Sequence, residues 1–199
     1  MNKLIESIKK DFTTSTLVLI PVVIAINIVL GEIALLLKLP VYLDGTGTIF
    51  LAVICGPWAG ALTGILTNII WGLAIDPNAF PWFPVAAFIG LVAGIMANKG
   101  LFKKWWQVVI TGFVIAIFTT IVSTPIAVYL YGGITASGTS FITAMLLQSG
   151  QDLVTAVLST NFLTDPLDKI TSALMAFAVL KALSARYLSR FPHAENVVD

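Results

Sequence analysis

Long uninterrupted apolar stretches organise this chain, in place of the alternating or one-faced patterns of soluble strands and helices. The first covers about 14–37 and stops at Lys38-Leu39-Pro40, too long for the core of a secretory signal. A second runs over about 46–55 and a third over about 58–75, separated by Gly56-Pro57, a pair that ends one helix and can open the next. Further stretches lie at about 83–98, 106–131 and 166–188. The pattern predicts an all-α integral membrane fold, a single membrane domain of six transmembrane helices. The second stretch is short for a full crossing. The less apolar region 132–165 is expected outside the spans, its segment from Thr139 to Ser159 forming two short helices broken at Gly150, lying on or re-entering the outer leaflet. The last span is expected to begin with Asp165 as N-cap, Pro166 in the first helical position and Asp168 in the first turn.

Composition narrows this further. Of 199 residues 58% are hydrophobic and 11% charged, where soluble domains carry about 25% charge, so a soluble module is excluded. One cysteine, Cys55, leaves no partner for a disulfide or a thiolate metal cage. A net charge of +1 gives no basic field for nucleic acid, and the information lies in where the charges sit. Nine of the eleven Lys and Arg fall in three clusters: Lys3, Lys9 and Lys10; Lys99, Lys103 and Lys104; Lys181, Arg186 and Arg190. Basic segments stay in the cytoplasm, which places both termini and the loop after the fourth stretch on that side of the cell membrane. Six crossings satisfy this and five or seven do not. Lys38 and Lys169 are left for the outer side.

Small residues recur every fourth position at Gly60, Gly64, Asn68 and Gly72, and again at Ala86, Gly90, Gly94 and Asn98. Such faces let helix backbones approach closely in lipid. They serve contacts within the chain or docking of another membrane subunit.

Polar groups in apolar spans are costly and mark function. Asn27 and Glu32, Asp44, Asn68 and Trp71, then Asp76, Asn78 and Trp82, then Gln148, Gln151, Asp152 and Asn161 all fall in the outer half of the predicted topology. Apart from Asn27, these are the candidate substrate-binding residues. Trp71, Phe80, Trp82, Phe83 and Tyr42 offer stacking surfaces for a planar ligand, although Trp and Tyr also favour membrane interfaces, as expected of Trp105 and Trp106 beside Lys103 and Lys104. Catalysis is not expected. The one histidine, His193, lies in the polar tail, out of reach of any nucleophile dyad or metal centre in the membrane. Gly45-Thr46-Gly47 lacks the Gly-Lys-Ser/Thr that completes a phosphate loop. Neither a cofactor nor a bound metal is called for.

The string Tyr42-Leu43-Asp44-Gly45-Thr46-Gly47-Thr48, followed by Gly56-Pro57-Trp58-Ala59-Gly60-Ala61-Leu62-Thr63-Gly64 and Asn68, resembles the substrate-binding S components of energy-coupling factor (ECF) transporters. The resemblance implies a six-span binder of a vitamin or related micronutrient, working with a coupling membrane subunit and two cytoplasmic ATPases and toppling in the membrane during uptake. Family sites are built from outer loops and the outer ends of later helices, in line with the polar residues above. One departure concerns docking. Many members carry Ala-x-x-x-Ala on the first helix, where this chain has Pro21, Ala25 and Val29, so the Gly60 or Gly90 faces are alternative docking surfaces. Two other readings compete: an ion-coupled carrier acting alone through Glu32 and Asp152, against which no inverted repeat is found, and a structural membrane subunit that binds no solute. Outer carboxylates outnumber outer lysines, which favours a neutral or cationic ligand.

Overall fold

In hydrocarbon every backbone N–H and C=O must find its partner inside the protein, and a helix meets that demand within one segment. The computed structural model describes residues 2–197, with side chains from Leu4 onward, and among these every regular element is helical. In chain order they are α1 Asn2–Asp11, α2 Thr14–Leu36, α3 Thr46–Cys55, α4 Pro57–Ala74, a 3₁₀ turn Pro77–Trp82 leading into α5 Phe83–Asn98, α6 Trp105–Tyr131, α7 Ser140–Gln148, α8 Leu153–Ala182 and the short α9 Ala185–Leu188, with a last 3₁₀ turn at Ala194–Asn196. Three stretches, Thr14–Leu36, Pro77–Asn98 and Trp105–Tyr131, are long and apolar enough to cross a membrane. The Lys3 side chain, counted in the first basic cluster, lies outside the described residues.

Helix α3 is the centre of the bundle. At ten residues it rises about 15 Å, half the thickness of a hydrocarbon core, and nine of its residues are buried between α2, α4, α5 and α8. It ends at Gly56, whose φ of +103° suits glycine alone, and Pro57 opens α4 in the first helical position. The Asn27 side chain, wholly buried, clips α2 to α3 and α4: its Nδ2 donates to Thr48 Oγ1 at 2.9 Å and Thr67 Oγ1 at 3.2 Å, and its Oδ1 accepts from the Gly47 amide at 2.8 Å.

The two small-residue faces close on each other. A methyl at Gly60 would stand 3.2 Å from Gly90 Cα, one at Gly64 would stand 3.1 Å from Ala86 Cβ, and one at Gly94 would stand 2.5 Å from Pro57 Cα. Both faces are thus occupied within the chain and are not exposed for docking, because α4 and α5 approach at backbone distance.

The chain termini meet at one end of the bundle. His193, expected in a solvated tail, is buried, its Nε2 2.9 Å from Asp11 Oδ1, and the other Asp11 oxygen accepts from the Trp58 amide at 2.9 Å. Its backbone N–H donates to the Ile54 carbonyl, and Asn196 Nδ2 reaches Val53 O and Asn98 Oδ1. The tail is drawn in because it satisfies carbonyls that the end of α3 leaves open. Each basic cluster touches this tail: Lys10 pairs with Glu195, Asn98 beside Lys99 binds Asn196, and Lys181 Nζ donates to the Val197 carbonyl.

Both expected limits of the last span are wrong: the helix ends at Ala182, and Ala185–Leu188 is a separate short helix. Asp165 does not cap a helix; α8 begins at Leu153, thirteen residues before the expected start at Pro166, with Asp152 as its N-cap accepting from the Thr155 amide, and runs through Pro166. Residues up to Ser159 are expected as a separate short helix, with the last span starting after Asp165; instead Thr160 and Thr164 return their hydroxyls to the carbonyls of Ala156 and Thr160 and so satisfy themselves within one continuous helix. The break at Gly150 is found where expected, between α7 and α8, with φ +91°.

Candidate binding site

At the end of the bundle away from the termini a cavity of about 230 Å³ opens between α2, α4, α5, α6 and α8, roofed by the loops after α2 and α6. Its position follows from the roof. The loop 37–45 contains two non-glycine residues with positive φ, Lys38 at 51° and Leu43 at 61°. Asp168 on α8 holds this loop, its Oδ1 accepting the amides of Tyr42 at 2.8 Å and Leu43 at 2.9 Å, while its Oδ2 receives the Lys169 ammonium. Lys38 in turn donates to the Ala136 carbonyl at 2.7 Å, and the Tyr42 hydroxyl lies 3.0 Å from Thr139 Oγ1, joining the two loops.

The floor comes from α6 and α8, packed so closely that a methyl at Gly112 would stand 2.7 Å from Ile170 Cα. Asn161, Asp165 and Lys169 follow at four-residue spacing on one face of α8 and all line the cavity. Asp165 Oδ2 accepts from Thr120 Oγ1 at 2.7 Å; Asn161 Nδ2 donates to Ser123 Oγ at 3.2 Å and Thr124 Oγ1 at 3.1 Å. Lys169 Nζ also sits 5.7 Å from the centre of the Tyr42 ring.

Aromatic walls complete it. Trp71 is buried, its Nε1 donating to Glu32 Oε1 at 2.6 Å, and it fits because Gly31 carries no Cβ, which would stand 2.7 Å from the ring's Cζ3. Trp82 stacks on Tyr131 with centroids 5.4 Å apart, and the Tyr131 hydroxyl donates to the Asn78 carbonyl at 2.7 Å. Asp76 Oδ1 accepts both the amide and the side-chain Nδ2 of Asn78, fixing the turn before α5.

In the roof, burial shifts two acids. The Tyr42 phenol is pushed up to about 12 by burial and by the Asp165 carboxylate. Burial also raises the Asp44 carboxyl above its ordinary value, an effect partly offset by the Lys169 ammonium.

Of the eleven residues proposed from sequence, Asp44, Asn68, Trp71, Asp76, Asn78, Trp82 and Asn161 line this cavity. Glu32 stands behind Trp71 and orients it. Gln148, Gln151 and Asp152 do not converge on it: they are exposed at the end of α7 and the turn into α8, where Asp152 is occupied as a cap. Expecting Asp165 as a helix cap and Lys169 only as an outer lysine hides their alignment with Asn161. Reading α8 as continuous through Pro166 reveals the stripe, since prolines are tolerated inside membrane helices.

Comparison with curated proteins and with solved structures finds no match. The family of ECF transporter substrate-specific components matches residues 15–183, nearly every helix described above and all of the cavity wall. Such proteins are transport components of the membrane and are not enzymes. The chain belongs to the family of ECF transporter substrate-specific components.

Proposed function

We propose that this protein captures a vitamin or related micronutrient from outside the cell in the cavity beneath the 37–45 loop, for ATP-driven uptake by a coupling membrane subunit and two cytoplasmic ATPases. Six crossings with both termini in the cytoplasm give this arrangement. What carries the reading is one contrast: the basic clusters gather at one end of the bundle, where the positive-inside rule puts the cytoplasm, and the polar, aromatic-walled cavity occupies the other. A volume of about 230 Å³ is at the small end of ligand pockets, which supports a compact ligand of one or two rings. Against an ion-coupled carrier acting alone stands the employment of its two carboxylates, Glu32 on the Trp71 indole and Asp152 on the start of α8.

The test starts from protein purified from its native membrane, with native mass spectrometry to identify the retained small molecule. Titration with that molecule, without ATP, is expected to give saturable binding that weakens about tenfold or more in Asp44→Ala and Asn68→Ala while both variants stay folded. Unchanged dissociation constants in both would refute the assignment of the cavity. Liposomes holding this chain alone are expected to bind but not accumulate the molecule; gradient-driven accumulation would establish the carrier instead.

A further inference from the structure

The free hydrogen-bonding capacity of the cavity wall leans toward acceptors. Several donors are engaged inside the protein: the Trp71 indole on Glu32, the Tyr131 hydroxyl on the Asn78 carbonyl, Asn78 Nδ2 on Asp76, and one N–H of Lys169 on Asp168. Acceptors are left over. Asn161 Nδ2 faces the hydroxyls of Ser123 and Thr124, and those hydroxyls already donate to the Thr120 carbonyl, so only the N–H side of the amide can meet them. The Asn161 carbonyl oxygen is thereby turned away from them and accepts no hydrogen bond among the described residues. The same holds for Asn68, whose Nδ2 reaches the Gly64 carbonyl at 3.4 Å while its Oδ1 has no partner. Both residues line the cavity and are only 7% and 2% exposed, so these two acceptors are deeply placed in its wall.

Charge points the same way. Asp44, Asp76 and Asp165 line the cavity against one ammonium, Lys169, and that ammonium is paired with Asp168, which stands off the wall. A ligand without donors would leave these buried acceptors unpaired, a loss that a donor-rich ligand avoids. An anion would meet carboxylates of its own sign.

We propose that the cavity selects a small organic cation rich in N–H donors, a protonated amine or an amino-substituted, positively charged heteroaromatic ring, held by Asp44, Asp165 and the amide oxygens of Asn68 and Asn161. The aromatic faces of Trp71 and Tyr42 suit the same class, since ring faces attract cations. This assignment rests on the capture role and names its substrate class.

The experiment is calorimetric titration of the purified full-length protein at neutral pH with three probes on one pyrimidine ring: an aminomethyl, a hydroxymethyl and a carboxylate derivative. The aminomethyl probe is expected to bind at least about tenfold tighter than the alcohol, and the carboxylate not at all. Asp165→Asn is expected to erase the amine's advantage while the alcohol binds as before. If that variant does not fold, the wild-type protein still answers. The affinity of an N-methylated ring, whose charge is permanent, is expected to fall as the pH is lowered and the Asp44 carboxyl, which Lys169 and Asp168 face, takes up its proton. An amine no better than the alcohol, a carboxylate as the tightest probe, or a pH-independent affinity for the N-methylated ring would overturn the proposal. Retention of a neutral or anionic molecule by the native protein would sink the cation assignment and leave the capture role standing. Failure of every probe together with an empty native mass spectrum would remove both.

Discussion

Asn27 and Asp44 are both polar residues near the middle of an apolar sequence, and the structure gives them opposite work. Asn27 has every one of its hydrogen-bonding sides engaged by α3 and α4 and does not line the cavity. Asn27→Leu is expected to leave the Gly47 amide and two threonine hydroxyls without their partner and to cost about 1–3 kcal/mol of stability, with ligand affinity unchanged in correctly folded protein. Thermal unfolding in detergent and a binding titration check the two halves. Asp44 is the converse case. Folding raises its pKa, so the folded chain holds that proton more firmly than the unfolded one, and its contribution to stability is present at low pH and lost as pH rises from about 4 through the folded value. In the empty protein burial disfavours the ionised form of this carboxyl. Asp44→Asn is therefore expected to raise the unfolding temperature of the ligand-free protein while weakening binding. A lower unfolding temperature in the variant would show that Lys169 outweighs burial at this position.

Among the helices, glycine placement separates packing from turning. Gly90 faces the backbone of Gly60 and Ala61, where an added side chain has no room, whereas Gly100, with φ +77°, has nothing near it. Gly90→Leu is expected to force α4 and α5 apart and to cut the yield of folded protein severely; Gly100→Ala meets only backbone strain, about 1 kcal/mol. Comparable loss from both, measured by size-exclusion profile and thermal unfolding, would contradict the α4 and α5 packing. The ends of α2, α3, α4, α5 and α6 fall within one residue of the limits that apolar length and the Gly56-Pro57 break suggest. The start of α8 lies thirteen residues before its expected position because Asp165-Pro166 looks like a helix start, whereas the Thr160 and Thr164 hydroxyls turn back on a helix that continues through it. That one error also hid the cavity-lining stripe Asn161, Asp165 and Lys169, while the wall residues on α4 and the turn before α5 were visible as polar or aromatic groups at the end of apolar runs.

For the whole molecule, both the proposed topology and the capture role depend on which end faces the cytosol. Cys55 is buried and is the only native thiol, so single engineered cysteines report cleanly. Asn78→Cys and Gln151→Cys, both exposed at the cavity end, are expected to react with a membrane-impermeant maleimide added to intact cells, and Lys103→Cys only after the membrane is opened. Labelling of Asn78→Cys only from inside would invert the bundle and remove the capture role.

Sequence alone settled what depends on transfer from water: an all-helical membrane protein, its basic end, and a set of polar groups too costly to lie in lipid without purpose, because hydropathy and charge act residue by residue. Tertiary packing decided what depends on direction. It buried His193 against Asp11, set the Gly60 and Gly90 faces against each other, and carried α8 unbroken through Pro166, so that a lysine and its carboxylates came to line one cavity. A hydrogen bond or a close approach exists only once two distant segments are fixed relative to each other, and no property of either segment read separately contains that geometry.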